Sequence, residues 1–206
     1  MALPAADALL RLDAVEDDLA TAMAAPPIER ITTVIAVIST ADHLAAEVAD
    51  SPSPYVRAVA QLHRAGARAQ LLLLDDPESM TSQGEVADAA GAALDAAEAS
   101  TSPNVRGEVA MGVIGVLAAA SSVLGDVTDL LNRAQRTAAD AAEDGARLRA
   151  EGLTELGTAR GLTEVAADAT GADRDVIVEA ARPRFERAAA LFARSGDVEL
   201  YRISRP

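Results

Sequence analysis

The stretch EVAMGVIGVLAAASSVLGD, residues 108–126, carries no charge between Val109 and Gly125. These seventeen residues are fewer than the roughly 20 predominantly apolar residues that a transmembrane helix usually needs. Glu108 and Asp126 flank the stretch, and neither an aromatic belt nor a positive cluster stands beside it. A helix that is apolar on all sides is otherwise one surrounded by other helices. The stretch therefore predicts the buried central helix of a helical protein that does not span a membrane.

Composition extends this expectation to the whole chain. Half of the 206 residues are apolar, only 2% are aromatic, and alanine alone contributes 49 residues. Alanine is the strongest helix former, and its small side chain lets helices pack closely. We therefore predict an all-α fold. Gly112 and Gly115 are expected where a neighbouring helix approaches the central one.

Proline and glycine predict where the helices begin and end. Serine or threonine before proline is typical of an N-cap followed by proline at the first helical position. Pro54 and Pro103 are the clearest examples, whereas Pro77 and Gly84 indicate a loop over residues 75–84. The predicted helices cover residues 5–24, 27–49, 54–74, 84–99, 103–124, 126–150, 152–169 and 173–194.

A repeated motif predicts how these helices pair. Ser-Pro-x-Val-Arg occurs at residues 53–57 and again at residues 102–106, 49 positions later. A fixed period of this length is typical of α-solenoids. We predict one domain, residues 1–206, made of antiparallel helical hairpins at about 4–50, 54–99, 103–150 and 152–195. Chance similarity between alanine-rich helices is the alternative, so an α-solenoid and a helical bundle both stay open.

The segment EAARPRFERAAALFARSGDVELYR, residues 179–202, resembles the closing helices of tetratricopeptide-repeat domains. Ala181, Phe185 and Ala188 have the spacing of that family's small-aromatic-small signature, and Leu156–Gly157 resembles the Leu-Gly pair of the repeat's first helix. The 49-residue period is longer than that family's 34. The Ser-Pro-x-Val-Arg segments instead resemble HEAT repeats. Both resemblances imply a scaffold that binds a protein or peptide on a helix-lined surface.

Charge and cysteine content exclude several function classes. The formal net charge of −14 disfavours nucleic acid and anionic lipid as partners, because both attract basic proteins. The chain has no cysteine, which excludes thiolate catalysis, thiolate metal ligation and disulfides. The N-terminal residues lack the basic and apolar regions of a secretory signal. We therefore expect a cytoplasmic protein.

Few residues are candidates for catalysis or metal binding. His43, Glu47 and His63 could meet across a helical hairpin and hold a metal ion. A histidine on a largely apolar helix is more often a hydrogen-bonded structural residue, and the sequence has no P-loop, Glu-x-x-His or Gly-x-Ser-x-Gly motif. We accordingly predict no catalytic residue, no metal site and no cofactor.

Arg57 and Arg106 are the best-supported polar positions, because the repeat places each one turn inside a helix. In a structural role, each would reach the acidic loop or the carbonyl groups at the end of the preceding hairpin. In a functional role, each would bind a partner's carboxylate in a groove. We favour the structural role. Tyr55 and Tyr201 are the aromatic residues expected to be exposed, and the partner-binding residues stay unassigned.

The sequence therefore leaves two function classes. We predict a non-enzymatic scaffold of the tetratricopeptide-like type that binds a protein or peptide partner, and a homodimer is compatible with the same pattern. The alternative is a helical bundle that binds a small apolar ligand, with or without catalysis. The scarcity of aromatic residues and of paired titratable groups favours the scaffold.

Overall fold

The computed structural model describes residues 3–74 and 83–205. About 85% of them are helical and none forms a strand, which confirms the all-α prediction. The loop predicted at residues 75–84 falls mainly outside these ranges. No helix in the described ranges is both long and apolar enough to span a membrane. The helices are α1 (Ala5–Ala24), α2 (Pro27–Glu47), α3 (Pro54–Leu73), α4 (Gln83–Glu98), α5 (Pro103–Ala119), α6 (Thr128–Asp168), α7 (Ala172–Ser195) and α8 (Val198–Ile203).

Three of the helices begin at a proline, as the sequence predicts. Pro27, Pro54 and Pro103 are the first residues of α2, α3 and α5. At α3, the Ser53 hydroxyl also caps the helix by accepting a hydrogen bond of 3.4 Å from the Val56 amide. Proline suits this position because its fixed φ is already helical and its missing N–H would have had no partner in the helix.

The break predicted between residues 150 and 152 is wrong. α6 continues through Gly152 as one helix of 41 residues. A Cβ atom on Gly152 would lie 2.7 Å from Cε1 of Phe192, whose side chain is fully buried. Gly152 thus makes room for the Phe192 ring of α7 instead of ending the helix. The predicted hairpins at about 103–150 and 152–195 therefore have no helix boundary between them.

The chain divides into two compact units. Unit 1 contains residues 1–100 and 105–138, and unit 2 contains residues 101–104 and 139–206. In unit 2, Leu156, Ala188 and Phe192 form a small buried cluster against which Phe185 packs. The organisation of the whole chain as a single domain stays a prediction.

In unit 1, α3 and α5 pack side by side. A Cβ atom on Gly112 would lie 2.5 Å from Cδ2 of Leu62, and one on Gly66 would lie 3.9 Å from Cγ2 of Val116. Both contacts join residues 50 positions apart, so the two helices run parallel with an offset close to the 49 positions between the two Ser-Pro-x-Val-Arg motifs. This confirms Gly112 as a point of close approach.

The second glycine of the uncharged stretch behaves differently. No described atom lies within 4 Å of a Cβ built on Gly115. Met111, on the same helix, keeps 59% of its surface exposed, while Val109 and Val113 are buried. The expectation that α5 is enclosed on all sides is therefore wrong, because one of its faces is open to solvent.

Candidate functional site

The two arginines of the repeated motif make the same hydrogen bond. Nη1 of Arg57 donates to the backbone oxygen of Ser51, and Nη1 of Arg106 donates to the backbone oxygen of Ser100 at 3.3 Å. Each acceptor lies six residues before its arginine, just after the end of α2 or α4. These are the contacts expected of the structural role, in which each arginine joins its helix to the preceding turn.

A cleft of about 360 Å³ opens in unit 1 between α2, α3 and α4. This volume lies near the lower end of the range of roughly 300–1,000 Å³ that is usual for ligand sites. Five alanines from α2, from α4 and from the residues that follow these helices form its walls, and three polar side chains complete it. The lining residues are Ala45, Ala49, Arg57, Gln61, Ala92, Asp95, Ala96 and Ala99.

The two polar side chains that α3 contributes to the cleft keep hydrogen-bond donors that no described residue uses. Nη1 of Arg57 is bound to Ser51, but its Nε and Nη2 have no hydrogen-bond partner among the described residues. Gln61 accepts a hydrogen bond of 2.9 Å from Nη1 of Arg64 through its Oε1, which leaves its amide nitrogen as a donor. The α3 side of the cleft therefore suits a ligand that supplies hydrogen-bond acceptors.

The acidic residue of the cleft is held by α6. Nη2 of Arg133 lies 2.6 Å from Oδ1 of Asp95 and 2.6 Å from Oε2 of Glu98. The Thr137 hydroxyl donates to Oε1 of Glu98 at 2.8 Å. The hydrogen bond from Arg133 lowers the pKa of Glu98, and this effect outweighs the opposing effect of burial. Arg133 thereby positions both carboxylates and partly neutralises them.

A second charged cluster in unit 1 joins α2 to α3, and the sequence analysis missed it. Nη1 and Nη2 of Arg68 donate to the two carboxylate oxygens of Asp42, each at 2.7 Å, and Nε of Arg64 donates to Oδ1 at 2.8 Å. Burial raises the pKa of Asp42, but the hydrogen bonds from the two arginines outweigh it and lower the pKa overall. Arg68 is only 7% exposed, and its buried Nε has no partner among the described residues.

The structure brings together only part of the metal-binding set that the sequence suggests. Nε2 of His43 lies 3.3 Å from Oε1 of Glu47, whose other oxygen lies 2.6 Å from Nη1 of Arg11. His63 is not part of this contact. Its partial burial lowers its pKa, and this effect outweighs the attraction of acidic residues on α1, which would raise the pKa. In the described parts of the chain, no three His, Cys, Asp or Glu side chains are grouped as metal ligands would be.

Both tyrosines have partners within their own units. The Tyr55 hydroxyl donates to Oε1 of Glu108 at 2.8 Å. Burial and this hydrogen bond to an acidic residue raise the pKa of Tyr55 to about 12. Tyr201 packs against the buried cluster of unit 2, and the Arg205 guanidinium lies 5.2 Å from the centre of its ring. Neither residue is the exposed anchor that the sequence suggests.

None of the family models, curated proteins and solved structures compared with this chain matches it. Its class is therefore defined by its own features: it is an all-α protein in which α3 and α5 of unit 1 pack in parallel. The resemblance to tetratricopeptide and HEAT repeats stays a prediction. In unit 2, Ala181, Leu156 and Ala188 of that resemblance are buried, whereas Gly157 is exposed and has no described neighbour within 4 Å of a Cβ position.

Proposed function

We propose that the chain is a non-enzymatic scaffold that binds a protein or peptide partner on unit 1. The parallel packing of α3 and α5, in which Leu62 meets Gly112 and Gly66 meets Val116, carries this proposal. Helical-hairpin repeats pack their helices with such a constant offset and form extended binding surfaces in this way. The resemblance to tetratricopeptide and HEAT repeats supports the same function.

The cleft is the part of that surface best suited to a peptide. The alanine side chains that line it are short, so the backbone of a partner can come close to α2 and α4. Arg57, Gln61 and Asp95 add polar groups that an extended peptide can use through its backbone and side chains. These polar groups favour a peptide over the small apolar ligand of the alternative function.

Charge narrows the choice of partner. Unit 1 contains 19 acidic and 8 basic residues, whereas unit 2 contains 13 acidic and 10 basic residues. Most of the excess negative charge of the chain thus belongs to the unit with the cleft. Because complementary charge steers association, we expect the contact surface of the partner to be neutral or basic overall.

Two alanines at the end of α2 provide a test with a matched control. Ala49 lines the cleft, whereas Ala46 is also exposed but does not line it. Peptides would be selected from a random displayed library by their binding to the wild-type protein. We expect Ala49→Trp to fill the cleft and weaken binding of the selected peptides at least tenfold, while Ala46→Trp leaves binding unchanged.

The same selection can also refute the proposal. If no peptide is enriched, or if the enriched peptides bind the Ala49→Trp and wild-type proteins equally well, the cleft is not a peptide-binding surface. Circular dichroism of both tryptophan variants would verify that each keeps the helical content of the wild type.

A further inference from the structure

We propose that the cleft recognises the carboxylate of an aspartate or glutamate side chain in the bound peptide, with Arg57 and Gln61 as its donors. This inference rests on the proposed function, because it names the chemistry of the peptide that the cleft of unit 1 takes.

The hydrogen bond to Ser51 leaves one edge of the Arg57 guanidinium available. With Nη1 held by the Ser51 carbonyl, Nε and Nη2 form the remaining edge, and two parallel donors of this kind match the two oxygens of a carboxylate. Gln61 lies one turn further along the same helix and lines the same cleft, and its amide nitrogen is a free donor. A carboxylate is therefore the group that uses all three unfilled donors on the α3 side.

The tie to Ser51 also fixes Arg57 before a partner arrives. Ser51 is only 3% exposed, so the carbonyl that holds the guanidinium belongs to a buried turn. A side chain held in this way loses less conformational freedom on binding than a free surface arginine does. The same hydrogen bond thus serves the fold and prepares the cleft for a ligand.

Asp95 limits which acidic peptides fit. It lines the cleft with 69% of its side chain exposed, and Arg133 binds only its Oδ1, which leaves Oδ2 without a bond to Arg133. A second acidic residue in the peptide would be repelled by Asp95 and by the excess negative charge of unit 1. The expected segment therefore carries a single carboxylate for Arg57 with a basic residue next to it for Asp95.

Arg106 is the natural control for Arg57. It makes the equivalent hydrogen bond to Ser100 but is not among the residues that line the cleft. Replacing either arginine by glutamine removes the charge and weakens the hydrogen bond to the carbonyl of the preceding turn. Only the replacement at residue 57 changes the lining of the cleft.

The test uses the peptides selected on the full-length wild-type protein, each compared with a copy in which its acidic residue is changed to asparagine or glutamine. We expect this change to weaken binding to the wild type at least tenfold, which corresponds to about 1.4 kcal/mol. The difference in affinity between each acidic peptide and its amide copy should disappear in Arg57→Gln and persist in Arg106→Gln. Gln61→Met, which leaves the tie to Ser51 in place, should reduce the difference as well.

The outcomes separate this inference from the proposed function. If cleft-dependent peptides bind equally well with and without their carboxylate, or if Arg57→Gln keeps the full difference, the carboxylate site is overturned and the scaffold stands. If every selected peptide binds Ala49→Trp as well as it binds Ala46→Trp, no peptide uses the cleft. In that case both the proposed function and this inference are wrong.

Discussion

Tyr55 on α3 donates a hydrogen bond of 2.8 Å to Glu108 on α5, which lies 53 residues further along the chain. This bond joins the two helices that begin at the Ser-Pro-x-Val-Arg motifs, as the contact between Leu62 and Gly112 does. The packing of α3 on α5 therefore combines an apolar contact with a polar one. The polar contact can be followed by titration.

We expect the Tyr55 phenol to titrate near pH 12 in the folded protein, because burial and the bond to Glu108 raise its pKa to about 12. Since the folded pKa lies above the ordinary value of 10, this contribution to stability is complete below about pH 10 and is lost as the pH rises towards 12. Phenolate absorbance of a Tyr201→Phe variant would report Tyr55 alone. A native midpoint equal to that in denaturant would contradict the bond.

Two glycines of α5 should respond in opposite ways to the same substitution. Gly112→Leu should destabilise the protein by about 1–3 kcal/mol, because the new side chain would overlap Leu62. Gly115→Leu should stay within about 0.5 kcal/mol of the wild type or gain stability, since its surroundings are open and leucine favours helix. Urea unfolding measures both variants, and equal losses would argue against the described packing of α3 on α5.

The charged cluster of Asp42 with Arg64 and Arg68 predicts a loss of stability in acid. Because the folded pKa of Asp42 is lowered from 3.8, its contribution is present above that pH and is lost as the pH falls through the folded pKa. At neutral pH, Asp42→Asn should cost about 2–3 kcal/mol, since it removes charged hydrogen bonds to the buried Arg68.

The stability of Asp42→Asn should consequently depend less on acid than that of the wild type. Asp50→Asn is the control, because Asp50 is exposed and has no hydrogen bond or ion pair among the described residues. Chemical unfolding at neutral pH and below pH 3.8 compares the three proteins. Equal stability of the two asparagine variants at neutral pH would show that the cluster contributes nothing.

A second pair of glycines tests the continuous α6 helix in unit 2. Gly152→Leu should destabilise the packing of α6 on α7 by about 1–3 kcal/mol, because the Phe192 ring occupies the space that a side chain needs. Gly157→Leu has open space and should gain up to about 1 kcal/mol from helix propensity. Hydrogen exchange of the α7 amides would measure the difference, and no change at Phe192 in Gly152→Leu would contradict the contact.

The sequence predicts helix starts more reliably than helix ends. Pro27, Pro54 and Pro103 mark starts through a local property, the fixed φ of proline, so no tertiary information is needed. A glycine can end a helix or accommodate another side chain, and the local sequence does not distinguish the two. At Gly152 the deciding residue is Phe192, which lies 40 positions away, so the helix break predicted there was wrong.

The cleft was only partly predictable for the same reason. The repeated motif points to Arg57, and its hydrogen bond to a preceding turn follows from its position one turn inside α3. Gln61 lies four residues after Arg57 on α3, so helical spacing alone places it beside Arg57. Asp95 carries no such signal, because it joins them only when α4 packs on α3. Similarly, Asp42 and Arg68 lie 26 positions apart on different helices, and spacing alone does not pair them.

The interval between Ser51 and Arg57 has an evolutionary consequence. An extra residue after Pro54 would rotate Arg57 by about 100° around the axis of α3 and take its guanidinium away from the Ser51 carbonyl. Insertions and deletions in natural variants of this protein should therefore be rare between these two residues, and rare between Ser100 and Arg106 as well. Both six-residue intervals should keep their length even where the surrounding sequence has diverged.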